Sequence, residues 1–139
     1  MAETSLKNYG ALALHKGGAT TSANLNEMYE IMAVFWSAVK EVFPEAWGLP
    51  PTDSRLMHSA GIEAMGVLMD RIVPRLRKDD EFKKNIKDAL TAIKPQCAWT
   101  KGEWDGLAMK WNEIQAVTKH KRMLKDHLVQ LDYVASRGL

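Results

Sequence analysis

Apolar residues recur at steps of three and four along residues 24–43, which predicts a helix with one buried face. Asn24 is followed three residues later by Glu27, a pair typical of an N-terminal capping box, and Pro44 ends the helix. The apolar positions of this first helix are Leu25, Met28, Ile31, Met32, Phe35, Trp36, Val39, Val42 and Phe43.

A second helix is predicted from Asp53 or Ser54 to about Val73, just before Pro74. Its small residues weaken the helix but let another backbone approach closely. We expect the first helix, lying antiparallel to it, or Trp47 from the proline-rich loop at 42–55, to pack into the resulting groove. The small residues are Ala60, Gly61, Ala64 and Gly66.

Two further helices are predicted in the C-terminal half of the chain. The third runs from about Asp80 to Ile93 and stops at Pro95. The last begins after Thr118 and runs to about Ala135, with an apolar stripe on one side. That stripe consists of Leu124, Leu128, Leu131 and Ala135.

Three tryptophans, Trp99, Trp104 and Trp111, lie close together between these two helices. Thr100 and Glu103 have the spacing of a capping box, which predicts a short helix across this segment. We interpret the tryptophans as one wall of the core. The alternative is an exposed surface on which bases or a peptide would stack.

No alternation of apolar and polar residues typical of hairpin strands occurs in the sequence. The predicted fold is therefore all-α, a single domain formed by a bundle of four to five helices with short connections. Residues 1–23 are predicted to be a loosely ordered lead-in, and residues 24–139 the helical bundle domain. A chain of 139 residues is long enough to bury a substantial core.

Composition favours a soluble, cytoplasmic protein. The single cysteine, Cys97, cannot form an internal disulfide, which is typical of a reducing compartment. No apolar run approaches the ~20 residues of a membrane span, and the N-terminus lacks the pattern of a signal peptide. We expect no membrane association, and the sequence leaves the oligomeric state open.

The titratable residues show no pattern typical of a catalytic or metal site. His120 and His127 share a helix face but lack a third ligand. Ser54 and His58 lack an orienting acid and an oxyanion site. We therefore expect a protein that is not an enzyme and has no metal or cofactor. An enzymatic alternative would use Glu63, His58 or Asp105.

Positive charge is concentrated in the second half of the chain. Residues 1–70 carry four basic and eight acidic residues, whereas residues 71–139 carry fifteen and nine. The KHKR run at 119–122 opposes the dipole of its own helix start, so an anion should compensate it. That anion is a partner's carboxylate, the acidic half of this chain, or nucleic acid. The residues predicted to meet a partner are Arg75, Arg77, Lys121, Arg122 and Lys125.

Two stretches resemble a known family. FWSAVKEVFPEAWGLPPTDSRLMHSAGIEAMGVLMDRI at 35–72 and CAWTKGEWDGLAMKWNEIQAVTKHKRMLKDHLV at 97–129 resemble the C-terminal helical region of proteins with the DGQHR motif. That family includes regulators associated with DNA phosphorothioation and other genome-defence islands. This chain departs from the family pattern after Gln115, where Ala116, Val117 and the basic KHKR run follow.

The DGQHR motif itself belongs to the ParB-like half of the larger proteins and does not occur in these 139 residues. The resemblance therefore implies a helical module without the half credited with nucleic-acid work. We expect a non-enzymatic protein-binding module, an inhibitor or decoy from a mobile element. Its partner would be a protein subunit of a prokaryotic defence or nucleoprotein complex, such as a CRISPR or DNA-modification system. The alternative is a nucleic-acid-binding transcriptional regulator, or an accessory subunit of a DNA-modification system, that uses the same basic residues.

Overall fold

The computed structural model describes residues 22–137 and is predominantly helical. Residues 1–21 of the predicted lead-in lie outside the described residues. The helices are α1 (Ser22–Val42), α2 (Ser59–Ile72), α3 (Phe82–Ile93) and α4 (Thr118–Ser136). Two short antiparallel strands, β1 (Glu103–Trp104) and β2 (Met109–Lys110), lie between α3 and α4.

The closest helix pairs are α2 with α4, α1 with α3, and α3 with α4. Two ion pairs give the direction of the first pair. Lys121 Nζ lies 2.8 Å from Glu63 near the start of both helices, and Arg75 reaches Asp132 at 2.7 Å near their ends. Helices α2 and α4 are therefore parallel. The predicted close packing of α2 against α1 is not among these pairs.

Helices α1 and α3 are also parallel. Glu41, near the end of α1, accepts from Lys87 at 3.1 Å, and Glu45, just after α1, lies 3.8 Å from Lys94, just after α3. Parallel neighbours cannot be joined by a short turn. The members of each parallel pair are not consecutive in the chain, so the helix between them makes the return. The segments 43–58 and 94–117 are nevertheless long, and there the predicted scheme of short connections fails.

Helix α2 begins at Ser59 and not at the predicted Asp53 or Ser54. Residues Arg55–Met57 form a separate 3-10 turn, and His58 caps α2 by accepting a hydrogen bond at Nδ1 from Ala60 N at 3.1 Å. Gly61 explains the break. A Cβ there would lie 1.9 Å from the carbonyl oxygen of Arg55, so the glycine makes room for this turn rather than for α1.

Helix α1 already includes Ser22, so Asn24 lies inside the helix and is not its cap. Trp47 is half-buried after the end of α1, and its ring lies 6.4 Å from that of Trp36. It packs against the core, but its ring contact is with α1 rather than with the predicted groove of α2. Helices α3 and α4 start and end within two residues of their predicted limits.

The segment between α3 and α4 contains the clearest error of the all-α prediction. In place of a short helix, β1 and β2 pair with Trp104 opposite Met109. Ala108 adopts a left-handed backbone conformation at φ 51°, and Gly102 lies at φ 82°. Trp111 N donates to Gly102 O at 2.9 Å and closes this hairpin. Trp104 and Trp99 are buried, which confirms their interpretation as core residues.

None of the helices within residues 22–137 is long and apolar enough to cross a membrane.

Candidate interaction surface

Arg75 follows α2, and its guanidinium is held by a buried carboxylate of α4. Nη1 and Nη2 donate to the two carboxylate oxygens of Asp132, both at 2.7 Å. The Asp132 side chain is only 5% exposed. The hydrogen bonds to Asp132 raise the pKa of Arg75 above its ordinary value. This predicted contact residue therefore fastens α4 to the end of α2, because a buried carboxylate needs its cation.

Lys121 occupies a similar position at the other end of the same helix pair. Its Nζ lies 2.8 Å from Glu63 on α2, and both side chains are about one-third exposed. Part of the charge that opposes the α4 dipole is thus compensated by the acidic half of this chain, one of the three anions that the sequence left open.

The other three predicted contact residues, Arg77, Arg122 and Lys125, have no ion-pair partner within residues 22–137. Arg77 and Arg122 are exposed and Lys125 is half-buried. The five predicted residues therefore divide into two groups. Arg75 and Lys121 hold α2 and α4 together, and the remaining three present free positive charge to solvent.

Arg122 belongs to an outward strip of α4 with mixed chemistry. The strip also carries Tyr133, which is 48% exposed and lies beneath the guanidinium of Arg137 at 4.8 Å. Tyrosine and arginine are the residue types enriched at protein interfaces. The exposed members of the strip are Lys119, Arg122, Asp126, Gln130, Tyr133 and Arg137.

Arg55 is a structural residue that sequence reasoning missed. It is only 8% exposed, yet no carboxylate within the described residues pairs with it. Its Nε, Nη2 and Nη1 donate to the carbonyl oxygens of Ile114, Asn112 and Pro51 at 2.8, 3.0 and 2.7 Å. The arginine thereby joins the turn before α2 to the end of the hairpin segment, and its guanidinium lies 5.5 Å from the ring centre of Trp111.

No single position in the sequence predicts this role for Arg55. A buried cation satisfied by carbonyl groups depends on loops that lie 57 and 59 residues away. The only local signal is its place between Ser54 and Leu56, both of which are fully buried.

Ser54 and His58 do not form an exposed nucleophile beside a free base. Ser54 is fully buried, and the Nδ1 atom of His58 is already used as the cap of α2. Burial, followed by the nearby charges of Arg55 and Lys121, lowers the pKa of His58.

The two histidines on α4 have separate surroundings. His120 accepts at Nδ1 from Gln115 N at 2.9 Å, whereas the ring of His127 lies edge-on to Trp104 at 5.9 Å. A Cβ at Gly106 would come within 2.2 Å of the His127 ring, so this glycine lets the hairpin lie against α4. Between residues 22 and 137, no group of three or more potential ligands is arranged to hold a metal ion.

Cys97 has the properties of a buried thiol. Its Sγ donates to Ile93 O at 3.5 Å, and burial raises its pKa to about 12. The thiolate that would act as a nucleophile is therefore scarce at neutral pH.

Comparison with protein-family models, curated proteins and solved structures finds no match for this chain. The resemblance to DGQHR-motif proteins stays a prediction from the sequence.

Proposed function

We propose that this protein is a non-enzymatic protein-binding module that engages an acidic surface of a partner through the outward strip of α4 and the nearby 71–84 segment. The observation that carries the proposal is the division among the predicted contact residues. Within residues 22–137, Arg77, Arg122 and Lys125 have no ion-pair partner, while Arg75 and Lys121 hold α2 to α4, the helix that presents Arg122 and Lys125. Charged side chains that are held on a rigid pair of helices lose little conformational freedom when they bind a partner.

The composition of the surface favours a protein over nucleic acid. Asp126, Gln130 and Tyr133 separate Arg122 from Arg137 along the outward strip of α4. Asp79 and Asp80 follow Arg77. The sequence pI is 8.7, below the value of about 9 that is typical of nucleic-acid-binding domains. A phosphate-binding strip would place few carboxylates among its cations.

The class of partner rests on the sequence resemblance. A helical module without a ParB-like half fits an inhibitor or decoy, which occupies a surface that a subunit of a prokaryotic defence or nucleoprotein complex needs. An inhibitor that acts by occupying a surface needs a surface complementary to its partner, but it needs no catalytic residues. This is in keeping with the buried Ser54 and the high pKa of Cys97.

The test is affinity capture with the tagged full-length chain from a prokaryotic lysate that contains a defence complex, followed by mass spectrometry. The double variant R122E/K125E reverses the free charge of α4. The matched control K40E/K101E makes the same change in net charge at exposed lysines elsewhere. We expect the wild type and the control to retain the same partner, and R122E/K125E to lose on the order of tenfold or more of it.

Equal capture by all three chains would contradict the proposal. Recovery that disappears after nuclease treatment, together with binding to bare DNA that falls steeply with salt, would assign the face to nucleic acid instead.

A further inference from the structure

A groove lies where the first half of α1 meets the residues just before α3. Ile31, Val34 and Phe82 form its apolar floor, and Glu27, Glu30 and Asp79 stand at its rim, with Lys78 also lining it. Its volume is about 280 Å³, at the lower limit of the roughly 300–1,000 Å³ of small-molecule sites. We call it the acidic groove. It is large enough for one bulky side chain rather than for a cofactor.

The rim carboxylates are not neutralised within the described part of the chain. Neither Glu27, Glu30 nor Asp79 has an ion-pair partner there, although Lys78 lies in the same groove. Asp79 uses one oxygen to accept from Glu81 N at 2.9 Å, which leaves its charge in place. The rim therefore carries more negative than positive charge.

A second depression along the same pair of helices shows the contrast. There Glu41 pairs with Lys83 and Lys87, and Lys84 pairs with Asp88 at 3.0 Å. Hydrogen bonds from Lys83 and Lys87 lower the pKa of Glu41 to about 2. At one end of the α1–α3 contact, the carboxylate of Glu41 is thus neutralised by lysines of α3. At the other end, the carboxylates of the acidic groove lie above apolar side chains and have no ion-pair partner within the described residues.

We propose that the acidic groove binds a cationic peptide segment of a partner protein. One bulky apolar side chain of that segment would lie on Ile31, Val34 and Phe82. Lysine or arginine residues on either side of it would pair with Glu27, Glu30 and Asp79. The free charge and the apolar floor select this chemistry together, since an acidic or wholly polar segment would satisfy only part of the site. This surface has the opposite charge to the basic strip of α4 and does not depend on the function proposed for that strip.

The test measures binding by fluorescence anisotropy to the full-length chain. The probe is a fluorescein-labelled hexapeptide with two lysines on each side of Leu-Phe, and its counterpart has glutamates in place of the lysines. The double variant E27K/E30K reverses the rim, and V34W fills the floor. The variant D53K/E103K makes the same change in net charge as E27K/E30K at exposed acidic residues outside the groove.

We expect the lysine peptide to bind the wild type and D53K/E103K alike with one peptide per chain. Both E27K/E30K and V34W should weaken binding on the order of tenfold or more, because charge and floor act together. The glutamate peptide should not bind.

Other results overturn the proposal. Undetectable binding of the lysine peptide, or equal binding by every variant, would exclude a peptide site in the acidic groove. Self-association that E27K/E30K abolishes would assign the groove to a second copy of this chain. Displacement of the probe by a peptide with the sequence of residues 1–21, at equal affinity, would assign it to the chain's own N-terminal segment.

Discussion

Helix α4 and the segment that connects α3 to α4 are both rich in apolar residues, but their backbones are fixed in different ways. The apolar positions of α4 follow helical spacing, and its limits agree with that spacing to within a residue. Thr100 and Glu103 predicted a short helix carrying Trp104 and Trp111, yet these two tryptophans lie in a two-strand hairpin and a 3-10 turn. Amphipathic spacing therefore fixes structure where one face of one element is buried.

The connecting segment is fixed instead by contacts from distant parts of the chain. Arg55 fastens its end through carbonyl groups, and Gly106 lets it lie on His127. The comparison of the two regions shows that the tryptophans of the connecting segment pack in or against the same core as the helices, although their local backbone is irregular. The charged exterior, with one face basic and another acidic, then remains for the recognition that we propose.

Trp104→Ala should have the largest effect on stability. The side chain is fully buried between Trp99 and His127. Its loss should reduce the free energy of unfolding by ~3–5 kcal/mol, since it removes a large apolar group and leaves a cavity. Urea denaturation followed by far-UV circular dichroism measures this. If the urea midpoint of unfolding of W104A equals that of the wild type, the connecting segment is not part of the core.

Arg55→Met should have the next largest effect. It keeps much of the apolar volume but leaves the carbonyl groups of Pro51, Asn112 and Ile114 without their donor. We expect a loss of ~2–4 kcal/mol in the free energy of unfolding, because the carbonyl of Ile114 is buried and costly to leave unsatisfied. Arg77→Met, at an exposed arginine, is the matched control and should change stability little. Equal stability of the two variants would show that Arg55 does not fasten the segment.

Lowering the pH should have the smallest effect on stability of the three changes. It should act through histidines of the helices near the connecting segment. Burial lowers the pKa of His58 and of His127, so the folded protein binds fewer protons than the unfolded chain as pH falls below the ordinary histidine value. Stability should be complete above about pH 7 and decline from there towards pH 5. Urea midpoints across this range measure the decline.

His58→Asn sharpens the pH test, because asparagine also caps a helix but does not titrate in this range. The decline with falling pH should be shallower in this variant. A wild-type midpoint that stays constant from about pH 7.5 to about pH 5 would contradict the assignment.

Residues whose environment is local could be predicted from the sequence. Pro95 and the spacing of Phe82, Ile86, Leu90 and Ile93 located α3, and Trp99 and Trp104 were correctly assigned to the core. The parallel helix pairs and the clamp by Arg55 could not be predicted, because they depend on contacts between segments far apart in the chain. For the candidate site, the sequence found the cations of α4. It could not distinguish the paired Arg75 and Lys121 from the free Arg122, since Asp132 and Glu63 are brought to them by folding.

Amide hydrogen exchange across residues 99–114 tests the central claim, that the tryptophan-rich segment is core and not a recognition surface. The amide of Trp111 donates to Gly102 O at 2.9 Å, and the amide of Arg55 donates to Trp99 O at 2.8 Å. If the claim is correct, both should exchange almost as slowly as the amides in the centre of α4, through opening of the whole fold. Exchange of both at the rate of an unfolded chain, while α4 stays protected, would contradict it.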